Sequence, residues 1–260
     1  MIRRGDLWVP TRDGNIVASD IARTKVGYSD AARVVGTRGL DAYTVCLLHF
    51  NGANSGTVFT DETGKVWTAV TAITSTTQAA YGTTSGYFDG TGDYISTPHH
   101  ADFDFGSGDF TIDLWMQRSD VLTAFDALFS IYDDTNNRMF FGIGETMQLL
   151  IFHCVSGGTT KAYMQTTSAY TFNLGIWTHV AFVRNGSNYY IFINGVSYAL
   201  SKTVDLGAGA LPTLTGIITI GARYTGSAGR DIPAYIDEYR ISKGIARWTA
   251  NFIPGVGYGG

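Results

Sequence analysis

The chain has 260 residues and a formal net charge of −4, with only 15% charged residues, 32 glycines, 15 phenylalanines and 15 tyrosines. Charge this far below the ~25% of an ordinary soluble protein, with glycine above the usual ~7%, describes a turn-rich β protein, and a chain of this length buries roughly 70–75% of its unfolded surface. The basic residues are too scattered for a nucleic-acid patch, and no run approaches the ~18 apolar residues of a membrane span.

Residues 1–42 show no clear period. "DIARTKVGYSDAARVV" carries a faint helical pattern broken at Gly27, and "MIRRGDLWVP" lacks the apolar core of a secretion signal, so synthesis is expected in the cytosol. Seven basic side chains face five aspartates over residues 1–41, a net of +2, against −6 for the remainder. This segment reads as an N-terminal arm.

From Tyr43 the character changes to short apolar runs punctuated by Gly, Asn, Asp and Ser, the pattern of an all-β sandwich. The runs at 109–117, 127–134, 138–145, 147–155, 216–223 and 235–242 each predict a strand. The clearest stretch is "WTHVAFVRNGSNYYIFINGVSYAL", Trp177 to Leu200, in which Asn185-Gly186 and Asn194-Gly195 predict two tight hairpin turns and hence a three-stranded meander. More than ten short strands imply two stacked sheets. "PGVGYGG" reads as a loose tail over residues 255–260. Cys46 and Cys154, each in an apolar run, read as buried small hydrophobes, although spacing alone leaves their pairing open.

Six segments in order carry a resemblance: "LLHFNG" (Leu47 to Gly52), "DETGKVWT" (Asp61 to Thr68), "GYFDGTGDYIST" (Gly86 to Thr97), "FTIDLWMQ", "GIWTHVAFVRNG…YYIFINGV" and "IDEYRISKGIARWTANFIP" (Ile236 to Pro254). Together they resemble the laminin-G-like and pentraxin-like branch of the concanavalin A-like lectin/glucanase superfamily, across residues 43–254. The resemblance implies a two-sheet antiparallel jelly roll behind an extended arm. The closing segment looks most like copies of this domain in bacteriophage structural proteins of the tail, fibre or decoration type.

That likeness sets the functional expectations. Glucan hydrolysis needs two carboxylates flanking the scissile bond, which this superfamily builds from Glu-x-Asp-x-Glu on one strand. Here the three glutamates are Glu62, Glu145 and Glu238, far apart in sequence, so no enzyme is expected. The pairs Asp102/Asp104 and Asp133/Asp134 read as loop acids, and His179 as a packing and hydrogen-bonding residue. Asp89 and Asp93 fail the spacing of an EF-hand loop and read as turn acids. The resemblance implies one structural Ca²⁺ on some members, for which Asp61 and Asp237 are the matching ligands, Asp237 also lying near Arg240 in sequence. It also implies that sugar would stack on outward aromatics, with Trp67, Tyr224, Tyr235 and Trp248 as candidates.

The expected function is a virion attachment or structural protein. Residues 1–42 would dock on other virion proteins in a homo-oligomeric or multicopy assembly, with the jelly roll turned toward host-surface carbohydrate. The alternatives are a free carbohydrate-binding or depolymerising module and a coat protein with no ligand.

Overall fold

A computed structural model describes residues 39–120, 125–144, 148–223 and 231–255. The chain divides into two compact units, residues 1–35 and Gly36–Gly260. The first unit, with nearly all of the expected arm, Tyr224 and most of the Gly-rich tail, lies outside the described residues.

In chain order the strands are β1 (Thr44–Leu48), β2 (Thr68–Val70), β3 (Ile73–Ser75), β4 (Ser85–Asp89), β5 (Tyr94–Thr97), β6 (Phe110–Arg118), β7 (Asp126–Asp134) and β8 (Asn137–Ile143). They continue with β9 (Leu150–Ser156), β10 (Thr159–Thr166), β11 (Trp177–Asn185), β12 (Asn188–Ile193), β13 (Val196–Tyr198), β14 (Leu200–Val204), β15 (Ile217–Ile220) and β16 (Pro233–Lys243). A first eight-stranded sheet runs β13-β12-β11-β6-β16-β4-β3, with β1 also on β16, and a second runs β14-β10-β9-β8-β7-β15-β5-β2. The ladders are antiparallel, as a jelly-roll sandwich requires.

Period-two alternation assigns the faces. On β6, Phe110, Ile112, Leu114 and Met116 enter the core between the sheets, joined by Phe152 and Cys154 of β9, Val180 and Phe182 of β11, and Ile236, Tyr239 and Ile241 of β16. Thr111, Asp113, Trp115 and Gln117 therefore point away from the core. Cys46 and Cys154 are both buried and unpaired, and burial pushes the Cys154 thiol up to about 12. Buried Arg184 is satisfied by backbone: it donates to the carbonyls of Gly106, Gly186, Gly207 and Gly209 and so fastens three loops to the end of β11.

The meander β11-β12-β13 forms as its sequence predicts. Its second turn has positive φ at both Asn194 (49°) and Gly195 (74°), the type I′ signature. Its first turn differs from expectation. Asn185 pairs with Asn188, so the central residues are Gly186 and Ser187, and only Gly186 takes positive φ. Beyond β16 the chain folds back over the outer face of the first sheet, where Trp248 and Phe252 pack on Ala181, Val183 and Phe192. The amide of Phe252 donates to the carbonyl of Gly195.

"GYFDGTGDYIST" turns out to be a bridge between sheets, since β4 belongs to the first and β5 to the second. Its two acids, with Asp231 from just before β16, hold the connection: Asp89 Oδ1 accepts from the Thr91 amide, Asp93 Oδ2 from the Asp89 amide, and Asp231 Oδ2 from the Gly92 amide. The turn-acid reading of Asp89 and Asp93 is thus correct.

Candidate functional site

The outer face of the first sheet carries a cluster of buried charge. Arg240 donates to both oxygens of Asp113 (Nε–Oδ1 3.0 Å, Nη2–Oδ2 3.4 Å), and His179 Nε2 lies 3.4 Å from Asp113 Oδ2. All three are at most 1% exposed. The His179 ring meets Trp115, Trp248 and Phe252 edge-on, and the Arg240 guanidinium lies 5.8 Å from the Trp248 ring. Arg240 is therefore the partner of Asp113 and not of Asp237, although only three positions of chain separate Arg240 from Asp237.

Beside this triad, β16 bulges between Asp237 and Arg240. Glu238, at φ 48°, occupies the left-handed region at a non-glycine position, which costs of order 1–3 kcal/mol. The bulge marks where β16 exchanges one partner strand for another: Pro233 to Ile236 pair with β4, Tyr239 to Ser242 with β1. It turns Glu238 onto His49, Oε1 to Nδ1 at 2.8 Å. Asp237 accepts from the amides of Ala80, Tyr81 and Glu238. Burial pushes the Asp237 carboxyl up to about 7, with the Glu238 carboxylate adding to the effect and the amides opposing it. Burial works against charge on His49, but its contacts with Glu238 and the nearby acids prevail and raise its pKa. A carboxyl kept protonated beside a second one is the electronic arrangement of a general acid. Here both are at most 1% exposed and Asp237 is committed to backbone amides, so the arrangement braces the bulge.

The acids implied as calcium ligands do not fit that ion. Asp61 Oδ1 accepts from the amides of Leu47 and Thr63 and from the Thr63 hydroxyl, and Oδ2 from Trp67 Nε1. Four donors exhaust its acceptor capacity, and three amides occupy Asp237. Among the described residues no three His, Cys, Asp or Glu side chains are grouped to hold a metal. The remaining acid pairs divide: Asp102 and Asp104, on a single turn at Ala101–Phe103 and just after it, bind Lys65 at 2.6 Å and His99, whereas Asp133 and Asp134 are not loop acids but the exposed end of β7, where Asp133 takes the Thr215 amide and Asp134 caps the turn at Asn136 and Asn137.

The aromatic candidates separate sharply. Trp67 is 6% exposed and belongs to the core, its indole N–H spent on Asp61, so its reading as a sugar platform is corrected. Trp248 is half-buried, stacked on Phe252 at 4.0 Å and 5°, where it clamps the C-terminal segment. Tyr224 lies outside the described residues. Tyr235 is half-buried, points outward, and packs on Tyr87 with ring centroids 4.7 Å apart. The ladders extend this pair into a row, Tyr87–Tyr235–Gln117–Trp177, on four adjacent strands. At ~4.8 Å per strand the row spans ~14 Å. Asp89, Asp93 and Asp120 lie near enough to act, after burial and Tyr235, in raising the Tyr87 phenol. Tyr87, Gln117 and Trp177 escape sequence reasoning because they stand on three separate strands, 30 to 60 residues apart, and only the ladder register aligns them.

Comparison with known proteins agrees with this architecture. A family model described as the concanavalin A-like lectin/glucanases superfamily matches residues 89–247. Among solved structures, the binding domain of Paraclostridial Mosquitocidal Protein 1 is similar with TM-score 0.58 and 14% identity, over 78% of this chain and 49% of that one, so the chain spans about half its length. Domain 4 of AbnA, a GH43 extracellular arabinanase from Geobacillus stearothermophilus, determined with arabinotriose, is similar with TM-score 0.54 and 16% identity, over 78% of this chain and 95% of that one. A botulinum neurotoxin type C structure, titled for its interaction with two ganglioside molecules, gives TM-score 0.55 and 13% identity over 78% and 48% of the two chains. No curated protein matches in sequence. At these identities the structural likenesses establish the fold alone.

Proposed function

The chain belongs to the concanavalin A-like lectin/glucanase superfamily, and from that premise we propose that it is a non-enzymatic attachment module that contacts carbohydrate through the outward rings of Tyr87, Tyr235 and Trp177, with Gln117 buried between them and its amide donated to the Gly175 carbonyl. The observation that carries this reading is the alignment of three half-buried aromatic rings in one row across four strands. Flat apolar rings cover the C–H faces of pyranoses, and a few convergent polar groups take their hydroxyls. Isothermal titration against a panel of neutral oligosaccharides tests it: Tyr87→Ala and Tyr235→Ala are each expected to weaken binding at least tenfold with unchanged melting. Equal affinity in both variants would refute the row. The burial of Asp237 and Glu238 supports the non-enzymatic reading, and reducing-end release from any panel member, lost in Asp237→Asn, would overturn it.

The setting in which such a module works is a virion of the bacteriophage type, with the N-terminal arm as the docking element in a multicopy assembly and the jelly roll presented to host-surface glycan. The opposite charge balance of residues 1–41 and the rest of the chain supports this division of labour. Asp41 belongs with the jelly roll, since its carboxylate binds Arg247 at 2.8 Å and accepts from Thr44, and the compact unit begins at Gly36. These contacts favour residues 1–35, rather than the whole of 1–42, as the docking element. A chain beginning at Gly36 is expected to fold with its β spectrum intact and to fail to join its particle. Normal incorporation would move the docking surface to the jelly roll.

A further inference from the structure

The outer face of the second sheet has chemistry of another kind. Strands β8, β9 and β10 contain no acidic residue at all, in a chain whose net charge is −4. Alternation places Met139 and Phe141, Phe152 and Cys154, Ala162 and Met164 in the core, which leaves Arg138, Phe140, His153, Val155, Lys161 and Tyr163 on the outer face. Register arranges them as two neighbouring rows. Phe140, His153 and Tyr163 are direct cross-strand partners, in edge-to-face contact at 5.2 and 5.1 Å. In the next row Arg138 pairs with Val155, and Lys161 sits at the β10 bulge on the far side of that valine. The two cations thus flank Val155 from opposite strands, ~10 Å apart at the backbone.

A third cation joins them. The Arg223 guanidinium stacks 4.3 Å from the Phe140 ring, with Phe125 at 5.7 Å. Burial, then the charges of Arg138 and Arg223, hold His153 down to about 4, so its imidazole is neutral in ordinary buffers. Among the described residues Arg138 makes no ion pair within 4 Å, although the exposed Asp134 carboxylate is near enough to feel its charge, and its Nε–H is buried without an acceptor. An unmatched guanidinium donor is costly away from water, and the local charge is complementary to an anion.

We infer that this face binds the carboxylate of an acidic saccharide, held between Arg138 and Lys161 over Val155 with the sugar ring against Tyr163. The guanidinium supplies the planar fork that carboxylates fit. Tyr163, half-buried and with its hydroxyl donated to Gln165, supplies the flat surface that a pyranose requires and a bare anion does not. The site is separate from the tyrosine row, being on the other sheet.

Titration calorimetry on the full chain at low and moderate salt tests the inference, using sialyllactose and oligogalacturonate against lactose and methyl-esterified oligogalacturonate, with inorganic phosphate and a poly-glutamate peptide as the other anions. At least one acidic sugar is expected to bind tenfold or more tighter than its neutral counterpart and than either other anion, with affinity falling as salt rises. Arg138→Gln and the exposed-site variant Lys161→Gln are each expected to lose fivefold or more. Because Lys161 is exposed, its variant folds even if the first does not. Failure of both acidic sugars to bind, equal binding of the neutral forms, equal binding of phosphate or the peptide, or unchanged affinity in Lys161→Gln would overturn it. These outcomes stand whether or not the tyrosine row binds sugar.

Discussion

Replacing Asp237 by Asn tests whether the bulge of β16 holds a protonated acid. The carboxyl titrates near 3.8 when the chain is unfolded and at about 7 in the fold, because burial disfavours its charge and the Glu238 carboxylate repels it. At ~1.4 kcal/mol per tenfold, the difference corresponds to about 4 kcal/mol. The sign follows from proton binding: between pH 4 and 7 the native state holds a proton that the unfolded state has released, so this residue's contribution to stability is present at pH 4 and lost as pH rises through 7. Asparagine has no such proton. Its amide disturbs one of the three backbone hydrogen bonds, which shifts stability by an amount independent of pH. Urea unfolding of both proteins, followed by tryptophan fluorescence at pH 4, 5.5, 7 and 8, isolates the effect as a difference between them. Stability of Asp237→Asn relative to the parent is expected to rise by about 4 kcal/mol from pH 4 to pH 8. A flat difference would mean that Asp237 is ionised in the fold and that the bulge has a solvated or counter-charged environment.

Gly195→Ala is expected to cost at least ~1–3 kcal/mol, because φ is 74° and an added Cβ would overlap the Phe252 carbonyl. Hydrogen exchange should show residues 245–254 opening first, and unchanged protection there would refute the seat of that segment. Arg240→Met, leaving Asp113 buried beside His179, is expected to cost about 3–5 kcal/mol, with Asp113→Leu in addition restoring at least half, as measured by chemical unfolding; additive losses would contradict the pairing. Chelation by EDTA is expected to leave the melting temperature unchanged, since Asp61 is saturated by four donors; a fall on chelation would point to a cation held elsewhere.

Local chemistry decided much of the fold. Along β6 every second side chain, Phe110, Ile112, Leu114 and Met116, is apolar and enters the core between the sheets, and Asn194-Gly195 dictates its own turn because both positions must take positive φ. Strands without a continuous apolar run stayed hidden: β10, "TTKAYMQT", buries only Ala162, Met164 and Thr166, and β14 is mostly polar. The candidate sites were legible in part. Tyr235 could be picked from its segment, but its partners Tyr87, Gln117 and Trp177, like the Arg138–Lys161 pair, exist only as a consequence of strand register. Asp61 and Trp67 show the converse. Six positions apart, an acid and an indole read as ligand and platform, whereas folding turns the indole N–H onto the carboxylate and buries both. The sequence by itself determined which residues alternate, turn and carry charge, because those are properties of a few neighbouring residues. Which of them meet, and which face water, was decided only when the strands took their order and register.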